Sequence, residues 1–374
     1  MRKTRPGLAG RLILIPVLLL TLTGLTPLFA IDITFVPPKF GGNSPIVNEI
    51  NRLLESIFAQ YEDEIGDTLG FIDINPNGLT SAFASSSVFA STGATQRGYG
   101  GYDKFAVTIG AMGGLKVPGN PFSAVREITG LLDDVKNLDD ISLGFNPQVL
   151  NAQIGFNASF LLDKLYLGLK LGYFNLGSGP ITFTTPSIGL MANYQLLPQI
   201  RIPTGILVWR GINLGTGLIY QYTNMEIGIP LPSKTEQLNV LGYTITTMVI
   251  NSKLTLDFEK NTFAIPLEAI TSLRLLSFFN LSVGLGADLG FGSTNFKLTG
   301  TSTATFENLP DFLNPLQNAG LAVSTGGKSS PDFFNPKLMA GLGFNIGPVI
   351  LDVPLTYYYL NGGYNLGITL GFIL

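Results

Sequence analysis

From residue 103 onward the chain alternates apolar and small polar residues. In "LYLGLKLGYFN" (165–175), Leu165, Leu167, Leu169, Leu171 and Tyr173 fall on one side of an extended strand. Gly168, Lys170 and Gly172 fall on the other. "LSVGLGADLGFG" (281–292) sets Leu281, Val283, Leu285, Leu289 and Phe291 against Ser282, Gly284, Asp288 and Gly290. "SKLTLDFE" (252–259) sets Leu254, Leu256 and Phe258 against Lys253, Thr255, Asp257 and Glu259. Twelve segments carry the pattern, near 103–112, 149–161, 164–175, 185–196, 212–226, 246–259, 262–275, 278–291, 294–306, 336–346, 349–360 and 363–374; a further hairpin has room in 80–100. Many exceed the ~5–6 residues of an ordinary strand and reach the ~9–11 that cross a bilayer as β-structure.

The links support this. With the N-terminus left in the periplasm, odd links face outward. The longest, 113–148, 227–245 and 307–335, are all odd, whereas 162–163, 260–261, 292–293 and 347–348 are two-residue even links. Long outer loops over short inner turns are the pattern of outer-membrane barrels. The link 197–211, with Arg201, Trp209 and Arg210, is the one long even link. The expected fold is all-β: a transmembrane antiparallel β-barrel of about 12–14 strands with a mainly helical N-terminal plug. The chain divides as signal peptide 1–30, plug 31–100 and barrel 101–374.

Composition agrees. Of 374 residues, 45% are hydrophobic and only 13% charged. A soluble β-sandwich would carry Lys and Glu on its wet face; here that face is Gly, Asn, Ser and Thr. The first thirty residues read as an export signal, with basic Arg2, Lys3, Arg5 and Arg11, apolar Leu12–Leu20 and "PLFA" ending at Ala30. Their removal takes four of 22 basic residues and leaves 18 against 25 acidic, a net charge of −7. That balance argues against nucleic acid as a partner. With no Cys and no His, disulfides, thiolate metal sites and the commonest general base are excluded. No nucleophile elbow or phosphate loop is present, so no enzyme and no cofactor are expected.

Ahead of the barrel, "NSPIVNEINRLLESIFAQYEDEIG" (43–66) reads as an amphipathic helix, capped by Ser44 with Pro45 in its first turn. Its stripe is Ile46, Ile50, Leu53, Leu54, Ile57, Phe58 and Tyr61. It is suited to plug the lumen, to rest on the rim or to bind a partner. "INPNGLTSAFASSSVFAST" (74–92) follows.

Asn75, Pro76, Gly78 and Leu79, with Asn77 at the usual Ala position, resemble the Asn-Pro-Ala-Gly hatch motif of the long-chain fatty-acid transporter (FadL) family of the outer membrane. The divergent spirochaete-type members are the nearest in character. The resemblance implies that outer loops catch a hydrophobic ligand, pass it to the barrel and release it as the hatch shifts. Lateral exit would need a strand kink, for which Pro266 and Pro354 are candidates.

Arg274, Lys253 and Lys170 are the cations best suited to a fatty-acid carboxylate; each is also able to pair with Glu268, Asp288 or Asp352 instead. Two apolar loop stripes, one with Phe122, Leu131 and Leu132 (in 120–138) and one with Phe312, Leu313 and Leu316 (in 306–323), would line the outer mouth. The expected function is passive uptake of hydrophobic small molecules, with long-chain fatty acids the expected class. A general nutrient porin and a surface adhesin barrel are the alternatives. The remaining partners would be outer-membrane lipids and the barrel-assembly machinery, which would read the apolar alternation ending at Phe372 and Leu374.

Overall fold

The computed structural model describes residues 33–69, 76–92, 104–117, 144–201, 206–311, 313–323 and 325–374. The expected signal peptide (1–30), the 120–138 stripe, Asn75 and Phe312 lie outside the described residues. Strands β1 (Ile33–Val36) and β2 (Lys39–Gly41) precede helices α1 (Pro45–Leu69) and α2 (Pro76–Thr92). Then come β3 (Phe105–Lys116), β4 (Gly144–Asn157), β5 (Leu165–Ser178), β6 (Ile181–Leu197), β7 (Ile200–Arg201) and β8 (Leu207–Pro230). They are followed by β9 (Lys234–Val240), β10 (Tyr243–Leu275), β11 (Phe279–Glu307), β12 (Asn314–Gln317), β13 (Gly320–Val323) and β14 (Thr325–Ser329). β15 (Phe334–Ile346), β16 (Val349–Tyr358) and β17 (Gly363–Ile373) complete the chain.

Thirteen strands form one sheet. β7, β9 and β14 are side strands, and the other ten close into a ring. The ring runs β3-β4-β5-β6-β8-β10-β11-β15-β16-β17 and returns to β3, every neighbour antiparallel. Closure satisfies every backbone edge, which lipid demands. No helix among the described residues is long and apolar enough to cross a membrane.

The wall has ten strands among the described residues, not twelve to fourteen. Residues 260–261 and 292–293 are not turns: β10 and β11 pair without a break from Thr247↔Glu307 to Leu275↔Phe279, through Lys260↔Thr294 and Asn261↔Ser293. What changes there is the face that is apolar. Low on β10, outward Phe263 and Leu267 are exposed, while inward Lys260, Thr262 and Ser272 are buried. Higher up, the inward residues are apolar: Met248, Ile250, Leu254, Leu256 and Phe258 are all buried. β11 reverses likewise, from outward Leu281, Val283, Leu285 and Phe291 to inward Phe296 and Leu298. So does β8, from outward Leu214 and Leu218 to inward Met225 and Ile227. Each strand leaves an apolar surrounding outside and a polar lumen inside, and enters a region with water outside and a protein core inside.

The ring thus has an outward apolar belt. In the quoted 165–175 stretch, Leu171 and Tyr173 are exposed and Lys170 is fully buried on the lumen side. Short links 158–164, 276–278 and 347–348 gather at one rim with the start of β3 and the C-terminus; Lys104 N–H donates to Leu374 O at 2.8 Å there. β7 and Ile206, which flank residues 202–205, lie at the same rim, as the even position of that link requires. The end of β3, the start of β4 and the links between β8 and β10 and between β11 and β15 gather at the other.

At that long-loop end β8, β10 and β11 rise above the belt as a canopy. α1 packs into its concave side through Val47, Ile50, Leu54, Phe58, Tyr61 and Ile65, in one core with Ile227, Leu238, Ile250, Leu254 and Leu321. Ser44 Oγ accepts Val47 N–H at 3.2 Å, so the helix starts at the expected cap. Val47 replaces Ile46 in the buried stripe; Ile46 is 40% exposed. β1 pairs with β13 and β2 with β12. The N-terminal segment is therefore at the long-loop end, not the short-turn end expected from the sequence.

Candidate functional site: the lumen and its helix

The helix that fills the lumen is α2, not α1. Its residues are small: Ser85, Ser86, Ser87, Ala90, Ser91 and Thr92 are all buried, at most 2% exposed. Ser86 Oγ donates to Phe83 O at 2.9 Å, and Ser91 Oγ to Val88 O at 3.0 Å. Hydroxyls that bond back to their own helix leave a narrow cylinder with few protrusions. The wall makes room with glycine. A Cβ at Gly144 would stand 2.0 Å from Ala82 O, and one at Gly114 would stand 2.3 Å from Ser86 O.

Wall side chains grip the backbone of α2. The Lys170 ammonium donates to Ser91 O. Asn365 Nδ2 donates to Phe89 O at 2.8 Å, and Lys260 Nζ to Phe83 O at 3.2 Å. The last carbonyls of a helix have no intrahelical donor and carry its negative pole, so a lysine and an amide there complete it. Phe89 stacks on Tyr358 with ring centroids 3.9 Å apart.

At the same end lies a buried charge cluster. Lys337 Nζ contacts Asp288 Oδ1 at 2.7 Å and pairs with Glu268. Asp288 Oδ2 accepts from Thr92 Oγ1 at 2.7 Å and from Tyr358 OH at 2.8 Å. Lys170 and Lys337 balance Glu268 and Asp288. Opposite, Asn146, Gln148, Thr185, Gln221 and Thr223 interlock, with Gln221 Nε2 donating to Asn146 Oδ1 at 2.9 Å and Gln148 Nε2 to Gln221 Oε1 at 2.9 Å. Asn146 Nδ2 reaches Ser87 Oγ of α2 at 3.4 Å, and Ser87 Oγ meets Thr262 Oγ1 at 3.1 Å. Nearer the long-loop end, Lys116 and Ser85 both hold Asp332.

The expected site residues do not meet in one place. Lys170 is in the lumen, engaged with α2. Lys253 is outward on the canopy, 3.9 Å from Glu226 and about half exposed; it shares that outer face with Asp257, Glu259 and Lys297. The face was expected to line the lumen, and the reversal above the belt turns it to solvent. Arg274 faces inward at the short-turn rim, its Nε 3.5 Å from Asn280 Oδ1. Leu313 is buried in the α1 core and Leu316 is 72% exposed. Pro76, Asn77, Gly78 and Leu79 form the first turn of α2, with Leu79 in the core under α1. Pro266 and Pro354 each interrupt one ladder, yet the register is the same on both sides, so neither opens the wall. Lys337, Lys260, Lys116 and Asp332 carry much of the grip and were not singled out as ligand candidates. For the three lysines the signal was a lysine on the small-residue face of a strand, as at Lys170; Asp332, in the link between β14 and β15, carried none.

The chain matches a family model described as Lsa36-like over residues 40–373. The chain belongs to the Lsa36-like family. That match takes in the canopy, α1, α2 and the whole ring. No curated protein matches this Lsa36-like chain. Among solved structures, it is similar to the translocator domain of the autotransporter NalP from Neisseria meningitidis, at 11% identity and TM-score 0.26, covering 73% of this chain and 90% of that one. It is also similar to the CymD monoaromatic hydrocarbon channel, at 9% identity and TM-score 0.25, covering 80% and 98%. A Pseudomonas aeruginosa FadL homologue stands at 9% identity and TM-score 0.24, covering 80% and 98%. These scores are too low to carry detail, and the barrel of this Lsa36-like chain is established by its own strand pairing.

Proposed function

We propose that the chain is an outer-membrane channel, its short turns toward the periplasm, that takes up small hydrophobic molecules with α2 as its gate. Long-chain fatty acids are the ligand class implied by the hatch resemblance. One observation carries the reading: α2 is held inside a membrane-type barrel by polar side chains on its backbone and by a smooth serine face. An apolar interlock would make a permanent core, whereas polar contacts can be exchanged for water as a helix shifts. The outer mouth is apolar down to Leu79 and Phe83, whose ring stacks on Phe258 at 4.9 Å. Below it the lumen is polar, so a hydrophobic ligand would be held at the top of α2 until the helix moves. At the inner rim Arg274, beside Asn280, would take a carboxylate only by exchanging its present contacts. The chain performs no chemistry on its cargo.

The absence of Cys makes the gate testable. A Ser87→Cys/Thr262→Cys disulfide would fasten α2 to β10. Oxidised protein in liposomes should lose oleate uptake at least tenfold and regain it with reductant. Uptake indifferent to the lock would refute the gate. Ion flux without oleate binding would favour a nutrient porin. The folded canopy favours a second reading, a surface adhesin, and unchanged uptake after replacement of the β9–β10 tip would strengthen it.

A further inference from the structure

The N-terminal segment and the first wall strand lie at opposite ends of the barrel. β1 pairs Ile33↔Val323 and β2 pairs Asn314↔Gly41, both with the link between β11 and β15 at the long-loop end. Asn51 Nδ2 donates to Phe40 O at 3.1 Å, and Tyr61 OH to Pro232 O at 2.5 Å, so β2 and α1 are fixed there. α2 then occupies the lumen. β3 starts at the other rim, where Asn157 N–H donates to Lys104 O at 2.9 Å. The chain has crossed the barrel before it lays down its first wall strand.

We propose that the barrel carries its own N-terminal segment, Ile33–Leu69, to the outer surface through the lumen, and that α2 is the part of the thread that stays inside. The proposal rests on the orientation given above, with the short turns in the periplasm. Three features point to it. A bilayer gives no passage to a polar backbone, while this lumen is lined with amides, hydroxyls and lysines that bond to backbone carbonyls. The segment makes its strands only by adding to β12 and β13, partners that exist at the outer end. Its one long helix buries its apolar stripe only against the canopy. Exit, strand addition and burial therefore occur together, and the folded segment is a latch that keeps the thread from slipping back.

The test labels single cysteines with a membrane-impermeant maleimide on intact cells that express the full chain. Tyr243→Cys, 76% exposed on the β9–β10 hairpin, and Asp163→Cys, exposed in a short turn, report orientation. Thr34→Cys and Lys39→Cys, both exposed on β1 and β2, report the segment. The expected result is labelling of Tyr243→Cys, Thr34→Cys and Lys39→Cys, with Asp163→Cys reacting only after permeabilisation. Labelling of Tyr243→Cys without either N-terminal position would overturn the proposal and leave the orientation standing. Labelling of Asp163→Cys in place of the other three would overturn the orientation and the proposal with it. A fast-folding domain placed ahead of Ile33 would be too wide for the lumen. It should withhold Lys39→Cys from the reagent at least fivefold, and undiminished labelling would overturn passage through the lumen.

Discussion

Lys337 is the residue on which the lumen cluster turns. It is 2% exposed, between a carboxylate that is fully buried and one that is 9% exposed. Removing one partner of a buried ion pair strands the other charge, at a cost of about 3–5 kcal/mol. Lys337→Met should therefore lower the stability of the detergent-solubilised barrel by about 3 kcal/mol or more, read as the midpoint of its denaturant-induced loss of β-signal. Lys253→Met should leave that midpoint nearly unchanged, since a half-exposed pair at 3.9 Å contributes little. Both lysines interrupt an alternating strand, and sequence treats them alike. Strand parity placed Lys170 in the lumen correctly. It put Lys253 there too, because parity gives a face and not what that face meets.

Among the elements, α1 was plain in the sequence because its stripe recurs at helical spacing and Ser44-Pro45 marks its start. α2 was not. It is enclosed on all sides, so no polar face alternates with an apolar one, and "SAFASSSVFAST" carries no stripe to find. What reveals it are its neighbours: glycines at 114 and 144 where a Cβ would strike its backbone. Gly144→Ala should displace α2, raising liposome permeability severalfold and exposing 76–92 to added protease. A variant that keeps both at the parent level would show that the wall can yield at that point. The strand count failed for a related reason. At Phe258–Lys260 and Phe291–Phe296 the apolar face changes sides with no break in the strand pairing, although Gly292 takes a positive φ, and a one-residue parity slip beside a glycine looks like a tight turn.

For the whole molecule, the outward face reads as a depth scale. Arg placed at Leu285, within the belt, should destabilise folding into lipid by about 2–4 kcal/mol, and Arg at Thr299, on the same outward face of β11 above it, by close to zero. Equal costs would mean that the belt is not the lipid boundary. The barrel and its outward apolar face were legible because closure and burial both act with period two. The canopy was not, because it depends on which segments fold back onto it.

The sharp reversal on β10 and β11 has one more consequence. From Leu281 to Phe291 the apolar face covers about 26 Å of bilayer at ordinary strand rise and barrel tilt. Immediately above stand Glu259, Lys297 and Asp257 on the outward face, so a thicker membrane cannot climb the wall without swallowing charge. At the other rim, Phe160, Leu161 and Leu162 in a turn and Ile346 at the end of β15 are 54–77% exposed, and greasy surface continues to and past the strand ends. Mismatch would be absorbed there. The barrel has a fixed waterline on its outer side and an adjustable one on its inner side, so its outer works would stand at the same height above any bilayer that holds it.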